Sequence, residues 1–290
     1  MGGRFQMVFA AFVLAMWIIT GIWVNRGIWS LTNSLMLTAA AILCLLVFVV
    51  FEWVFSYSYA LTAIVLPLVI LAREGLSTGA LLLASISVVY GVRLFVYRIQ
   101  RSRRARSTAT EKGIASTNDG MPLAPKIILF VCCTWLMAFL SMTTYLLASR
   151  HITNVGVCVG AAIMAIGLLL EGAADWQKQR AKAVDSGRWV DTGLYARTRN
   201  PHYAGEILVQ LGVVVAALSA GVAGLTWYET TAGLLSPVYI VLLMLWSAGA
   251  ADRRKLASYG DDPAYQSYLR ATASLIPASQ ANSVGAGPAR

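Results

Sequence analysis

The feature that most constrains the fold is a series of long apolar runs separated by short polar segments. The runs lie roughly at 5–24, 35–55, 57–72, 79–97, 126–149, 152–171, 205–225 and 233–251. A helix that crosses the hydrocarbon core of a membrane needs about 20 apolar residues. Hydrophobic residues make up 58% of the chain and charged residues only 12%, an apolar surplus that a soluble globular protein could not bury. The sequence therefore predicts an all-α, polytopic membrane helical bundle.

The number of spans depends on the third run, which is short and contains Pro67. A proline inside a helix can break it, so seven or eight transmembrane helices are predicted. The first run is long enough to span and lacks a small-residue cleavage site, which favours a membrane helix over a cleaved signal peptide. Gly156 and Gly160 form a GxxxG pattern, which predicts the close approach of two helices.

The basic residues predict how the bundle is oriented. They cluster in three segments, which contain Arg98, Arg101, Arg103, Arg104, Arg106 and Lys112, then Lys178, Arg180, Lys182, Arg188, Arg197 and Arg199, and finally Arg253, Arg254, Lys255 and Arg270. With eight spans, all three clusters fall on the side of the N-terminus, which the positive-inside rule makes cytoplasmic. We therefore expect a multi-pass protein of a bacterial inner membrane or the endoplasmic reticulum, with its C-terminus and basic loops in the cytoplasm. No soluble module accompanies the charge, which argues against a nucleic-acid partner.

The segment 171–206 carries more polar groups than a plain connector needs. Glu171 and Asp175 are four residues apart, so they share one face of a helix. Asn200 followed by Pro201 is typical of a helix start. His202 and Glu206 then lie on one face of the new helix, and Glu206 enters the membrane with it. A carboxylate at that depth is costly and marks a functional site or a buried partner.

The start of this helix also suits an anion. Its free N–H groups and its positive dipole end face the preceding residues, which include Arg197 and Arg199. These groups together would bind a phosphate-bearing ligand. An alternative is that the two arginines anchor the helix at lipid headgroups while His202 and Glu206 pair with each other.

A second polar segment follows the last apolar run. Tyr265 and Tyr268 are three residues apart on one face of a short helix, which Asp261 or Asp262 caps. The tyrosines could form an interfacial aromatic belt or a lid over a bound cofactor. The four cysteines lie in apolar runs without CxxC spacing or a nearby histidine, so no metal site is predicted.

These segments resemble a known family. The stretches LLLEGAADWQKQ, GLYARTRNPHYAGE and YGDDPAYQSYLRATASLIP, with VVYGVRLFVYRIQR upstream, resemble the bacterial DUF1295 branch of the steroid 5-alpha-reductase superfamily. The branch usually has Arg-His-Pro-Asn-Tyr where this chain has the sequence from Arg199 to Tyr203, with His and Asn exchanged. The resemblance covers residues 80–277. It implies N-terminal transmembrane helices over 1–75, a steroid-reductase-like membrane domain over 76–277 and, from composition, a disordered tail over 278–290.

The resemblance implies an NADPH-dependent reductase of a carbon–carbon double bond conjugated to a carbonyl in a steroid-like or other lipid substrate. The implied cofactor-binding residues are Asp175, Arg188, Arg197, Arg199, Asn200, His202, Tyr203, Glu206, Arg253, Arg254, Tyr265 and Tyr268. Glu52 with Tyr57 or Tyr59 is the implied catalytic group that polarises the substrate carbonyl.

Two other functions remain open at this stage. The Arg-x-Pro-x-Tyr element is shared with membrane methyltransferases that transfer a methyl group from S-adenosylmethionine to a lipid or prenylated substrate, as isoprenylcysteine carboxyl methyltransferases do. The excess of arginine favours the anionic NADPH over this cationic ligand. A transporter is disfavoured because the polar residues gather at one membrane face rather than at the midplane.

Overall fold

The computed structural model describes residues 3–105, 118 and 120–275, and this part of the chain is helical, without a named strand. The first half contains α1 (Gly3–Asn25), α2 (Leu31–Cys44), α3 (Tyr59–Glu74), α4 (Thr78–Ala105), α5 (Leu123–Leu140) and α6 (Met142–Ser149). The second half contains α7 (Val155–Val184), α8 (Pro201–Val222), α9 (Trp227–Tyr259) and α10 (Pro263–Ala271). The predicted tail, 278–290, lies outside the described residues.

Eight of these helical segments are long and apolar enough to cross a membrane. The prediction of a polytopic helical bundle is therefore confirmed, with the larger of the two predicted span counts. Pro67 does not end α3, because it lies buried inside a helix that continues to Glu74. Neighbouring membrane helices commonly compensate for the backbone hydrogen bond that a proline removes. Here α4 packs closely, since a Cβ atom at Gly91 would lie 2.6 Å from the carbonyl oxygen of Ala60.

The second apolar run, 35–55, is not one helix. Helix α2 ends at Cys44 and continues as a 3-10 turn over Leu45–Phe48, and a π-helical turn over Val54–Ser58 leads into α3. The side chain of Asn118 supports the break by accepting from the amide of Phe51 at 3.1 Å and donating to the carbonyl of Val49 at 3.2 Å. Because these backbone groups are satisfied, the chain can leave the helix here. Glu52 consequently lies in a turn between the two segments.

The chain divides into two compact units. Unit 1 contains residues 1–168 and 208–241, apart from those not described, and holds most of the apolar core. Trp23, Met16 and Phe139 are among its largest fully buried side chains. Unit 2 contains residues 169–207 and the described residues from 242 onward.

The GxxxG prediction is confirmed within unit 1. A Cβ atom at Gly160 would lie 2.5 Å from the carbonyl oxygen of Gly212, and one at Gly156 would lie 2.1 Å from the Ser219 hydroxyl. Small residues thus let the backbones of α7 and α8 approach directly, as they do in many membrane helix pairs.

Candidate functional site

The central feature of unit 2 is an ion pair between Arg199, which lies just before α8, and Asp252 on α9. Both Nε and Nη2 of Arg199 donate to one carboxylate oxygen of Asp252, at 3.2 and 2.9 Å. Nη1 of the same arginine donates to the carbonyl oxygens of Leu269 and Thr272. The side chains of Arg199 and Asp252 are only 13% and 17% exposed. Arg199 therefore uses most of its five donors within the protein.

Two neighbouring side chains complete this arrangement, which we call the arginine network (Arg199, Asn200, Asp252 and Lys255). Asn200 donates to the second oxygen of Asp252 at 2.7 Å. Lys255 donates to the Asn200 side-chain oxygen at 2.9 Å and to the Arg199 carbonyl at 2.7 Å. The predicted helix start at Asn200–Pro201 is confirmed, and the Asn200 side chain also joins this helix start to α9.

The arginine network also holds the segment that follows α10. Thr198 and Ala273 form a parallel bridge. The amides of Arg199 and Asn200 donate to the carbonyls of Ala273 and Ser274, at 2.9 and 3.1 Å. Arg199 and Asn200 are therefore held both by their side-chain contacts with Asp252 and by backbone hydrogen bonds to residues 273–274.

The turn that leads into this stretch requires a glycine. Gly193 has a φ of 62°, in the left-handed region. A Cβ atom there would lie 2.5 Å from Oε1 of Gln177, the same oxygen that accepts from the Leu194 amide at 2.8 Å. Helix α7 therefore sets the path of the loop that carries Arg197.

Aromatic side chains pack beside the network. The hydroxyl of Tyr268 donates to the carbonyl of Tyr195 at 2.8 Å, and the Tyr195 hydroxyl lies 3.4 Å from Nδ1 of His202. The rings of His202 and Tyr203 are 4.2 Å apart. Burial raises the pKa of Tyr268 above its ordinary value, because a buried phenol is harder to ionise. Asp262 provides the predicted cap of α10 by accepting from the amide of Ala264.

A second aromatic group contains two buried polar atoms. Trp189 contacts Tyr259 and Tyr265, with ring centroids 5.7 and 5.2 Å apart. The Tyr265 side chain is fully buried. Within the described part of the chain, neither its hydroxyl nor Nε1 of Trp189 has a hydrogen-bond partner. Such groups are rare in folded proteins and call for an explanation.

The remaining predicted cations are more accessible than Arg199. Arg197, Arg253 and Arg254 are exposed. Arg188 is 59% exposed and pairs with Asp191 at 2.9 Å. Arg199 is therefore largely enclosed and bonded within unit 2. The other predicted arginines are exposed, namely Arg188, Arg197, Arg253 and Arg254.

Unit 2 also contains three buried carboxylates, those of Glu171, Asp175 and Glu206. Gly205 brings α8 against α7 beside them, since a Cβ atom there would lie 2.6 Å from the backbone nitrogen of Glu171. The shared face of Glu171 and Asp175 is therefore directed into the protein rather than toward solvent or lipid.

The predicted catalytic residues, Glu52, Tyr57 and Tyr59, lie in unit 1. Their side chains contact different partners. Glu52 pairs with Arg98 at 2.9 Å and is 33% exposed. The Tyr57 hydroxyl lies 3.3 Å from that of Ser102. Arg98 and Ser102 are four residues apart on α4, so Glu52 and Tyr57 contact the same face of that helix.

Tyr59 belongs to a different group, which we call the intramembrane polar cluster (Tyr59, Tyr90, Arg93 and Gln210). Nε2 of Gln210 donates to the Tyr59 hydroxyl at 3.1 Å, and both side chains are buried. The Tyr90 ring meets Tyr59 edge-on at 6.2 Å, and the Arg93 guanidinium lies 5.4 Å from the Tyr90 centroid. All four residues belong to candidate spans.

Sequence analysis did not select several of these residues. Asp252 is not among the predicted residues and Lys255 is predicted only as part of a basic cluster, because only the fold gives them Arg199 and Asn200 as partners. Gln210 carries a usable signal, since it lies one turn beyond Glu206 in an otherwise apolar helix. Trp189 has no distinguishing spacing. The described residues include no group of three or more His, Cys, Asp or Glu that could hold a metal ion.

The comparisons with known proteins give one match. The family model described as "Protein of unknown function (DUF1295)" matches residues 47–272. No curated protein and no solved structure matches the chain. Since the matched segment is more than half of the chain, the protein belongs to the DUF1295 family.

Proposed function

We propose that this DUF1295 protein is an integral membrane reductase that uses NADPH to reduce a carbon–carbon double bond conjugated to a carbonyl in a lipid-soluble substrate. When bound, NADPH would supply a hydride to one carbon of the double bond, and water would supply the proton that the other carbon takes up. The protein's own contributions would be to bind a polyanion and to stabilise the negative charge that develops on the carbonyl oxygen. Each contribution is supported by a different group of residues.

The accessible arginines support the first contribution. Arg197, Arg253 and Arg254 are exposed, and guanidinium groups suit phosphates because they donate in pairs. We assign Arg199 a positioning role, since its donors are directed to Asp252 and to backbone carbonyls. It would hold the loop that presents Arg197.

The two buried polar atoms of the aromatic group, Nε1 of Trp189 and the Tyr265 hydroxyl, would suit a nucleotide such as NADPH. Nε1 of Trp189 can only donate a hydrogen bond, whereas the Tyr265 hydroxyl can donate or accept. A nucleotide has carbonyl, amide and ribose groups that match both, and its flat rings suit aromatic neighbours. Asn200, Tyr203 and Tyr268 stay predicted cofactor-binding residues on this proposal.

The hydrogen bond between Tyr59 and Gln210 is the observation that carries the proposal. Polar groups in membrane-spanning helices are costly and mark function by default. Gln210 donates to the Tyr59 oxygen and so orients the phenol, whose O–H would donate to the substrate carbonyl as charge develops there once the substrate is bound. Glu52, by contrast, is already paired with Arg98. Tyr59 is therefore our choice among the predicted catalytic residues.

A second candidate function is the transfer of a methyl group from S-adenosylmethionine to a lipid. The observation that favours it is the burial of Glu171, Asp175 and Glu206 in unit 2. Carboxylates attract a sulfonium cation, whereas NADPH is strongly anionic. The exposed arginines favour the anionic NADPH over a sulfonium cation, so the reductase is the preferred proposal.

Calorimetric titration of the detergent-purified protein with each ligand tests the choice. We expect saturable binding of NADPH that weakens as salt rises, because accessible charges are screened. The variants Arg197→Gln and Arg253→Gln should each lower NADPH affinity about fivefold or more, as expected for the loss of a charged hydrogen bond. Arg73→Gln, which removes an exposed charge from the last turn of α3, is the matched control and should leave affinity unchanged.

Saturation by S-adenosylmethionine alone would contradict the reductase proposal. For the chemical step, Tyr59→Phe should abolish substrate-dependent NADPH oxidation in membranes that contain the protein while leaving NADPH affinity intact. A fully active Tyr59→Phe variant would remove Tyr59 from the proposal.

A further inference from the structure

One face of α7 is exposed along its whole length. Val155, Val159, Ile166 and Leu169 on this face are 80%, 47%, 59% and 72% exposed. They are followed at helical spacing by Trp176, which is 60% exposed. The opposite face carries the buried Asp175. Exposed apolar residues on a membrane-spanning helix face the lipid, so this stripe marks how deep each turn lies.

The spacing places Trp176 at the surface of the hydrocarbon. At about 1.5 Å of rise per residue, Trp176 lies about 30 Å along the helix from Val155, which is about the thickness of the hydrocarbon core. Tryptophan prefers this interface because its ring is apolar and its N–H is polar. The next turn of the stripe therefore lies at the level of the lipid headgroups.

Arg180 occupies that next turn. It is exposed, and its guanidinium lies 5.5 Å from the centre of the Trp176 ring. This cation–π contact holds the long arginine side chain against the ring at the membrane surface. A guanidinium at that depth meets the phosphate groups of the lipids.

The charges around the pair favour a lipid with net negative charge. The cation on the face of Trp176 is Arg180, since Lys178 is two residues away and lies on another face of the helix. The next acid along the chain, Asp185, accepts from the amides of Gly187 and Arg188 in its own loop. Within the described part of the chain Arg180 has no carboxylate partner, so the charge beside the Trp176 ring is positive. Lys182 donates to the carbonyls of Ser186 and Arg188, which leaves Arg180 as the better-placed phosphate ligand.

We propose that Trp176 and Arg180 form a binding site for the phosphate of an anionic phospholipid. The lipid tail would lie against Leu169, and the headgroup would contact the guanidinium. Since Asp175 precedes Trp176 on the same turn, the bound lipid would stabilise the turn that carries this buried carboxylate. The site does not depend on the proposed reductase activity.

Native mass spectrometry of the full-length protein, exchanged into detergent with phosphatidylglycerol or phosphatidylcholine, tests this proposal. The wild-type protein should retain phosphatidylglycerol in preference to phosphatidylcholine. Arg180→Gln should lower the affinity for phosphatidylglycerol about fivefold, the effect expected of one cation at an anionic membrane surface. Trp176→Leu keeps the apolar contact and should lower it as well, because the cation–π contact is lost.

Arg270→Gln is the matched control, since it removes an exposed arginine at the end of α10, and it should retain phosphatidylglycerol like the wild type. Equal retention of the two lipids, or equal retention by the wild type and Arg180→Gln, would overturn the proposal. Displacement of phosphatidylglycerol by millimolar inorganic phosphate would also overturn it, because the site would then bind the free ion rather than the lipid.

Discussion

The two compact units satisfy their buried polar groups in different ways. In unit 1 several buried contacts are between neutral groups, such as Tyr59 with Gln210 and the Ser236 hydroxyl with the carbonyl of Leu136. Its Arg150–Glu229 pair lies at a helix end and leaves the arginine 53% exposed. In unit 2 a partly buried ion pair, Arg199–Asp252, joins the segment before α8 to α9.

The difference follows from the surroundings of each unit. A charge surrounded by lipid must give up nearly all of its hydration, so polar contacts there are mostly between neutral partners. Unit 2 contains the connections and helix ends that extend beyond the apolar runs. Its charges can be paired, hydrogen-bonded and partly hydrated, so an ionic network is tolerated. We therefore expect unit 2 to respond to changes in charge and unit 1 to respond mainly to changes in packing.

The largest expected effect is on the arginine network. Asp252→Ala should destabilise unit 2 by about 3–5 kcal/mol, because Arg199, whose side chain is only 13% exposed, would lose the carboxylate with which it pairs. Hydrogen exchange of the Arg199 and Asn200 amides, which donate to Ala273 and Ser274, measures this directly. Exchange that is unchanged in Asp252→Ala would show that the ion pair does not hold this segment.

The matched control is Asp191→Ala, which removes the carboxylate of an ion pair with a 59% exposed arginine. Exposed pairs contribute about 0–1 kcal/mol, so amide exchange in unit 2 should change little. If the two alanine variants gave equal effects, burial would not be what distinguishes the networks.

A smaller effect is expected from Tyr268→Phe, which removes the hydrogen bond to the Tyr195 carbonyl. At neutral pH this should cost about 1 kcal/mol. Burial raises the pKa of Tyr268 in the folded protein, so its contribution is complete below an unfolded-state pKa of about 10. That contribution is lost as the pH rises toward the folded-state value. Unit 2 should therefore open at alkaline pH, and the slope of stability against pH should be shallower in Tyr268→Phe. Identical slopes would contradict the assignment.

The smallest effect on stability is expected in unit 1. Tyr59→Phe removes one hydrogen bond between membrane helices, and such bonds contribute about 0.6 kcal/mol on average. Thermal unfolding in detergent should detect at most a slight shift, even though the proposed activity should be lost. A loss of stability as large as that of Asp252→Ala would mean that the intramembrane polar cluster is structural, and the contrast between the units would fail.

Much of the candidate site could be predicted from local sequence. The helix start at Asn200–Pro201, the cap at Asp262 and the shared face of Glu171 and Asp175 each depend on residues a few positions apart. The predicted phosphate ligand Arg199 could not be judged in the same way. Its partner Asp252 is more than 50 residues away, and spacing along the chain contains no information about such a contact.

The sequence by itself determined that the chain forms a bundle of membrane-spanning helices, because apolar length and the absence of charge decide insertion wherever the segment lies in the chain. Only the tertiary structure decided which polar groups are already occupied. Arg199 is engaged with Asp252, Glu52 with Arg98, and Tyr59 with Gln210. Those pairings join residues from separate segments of the chain, and they depend on packing geometry that no local pattern encodes.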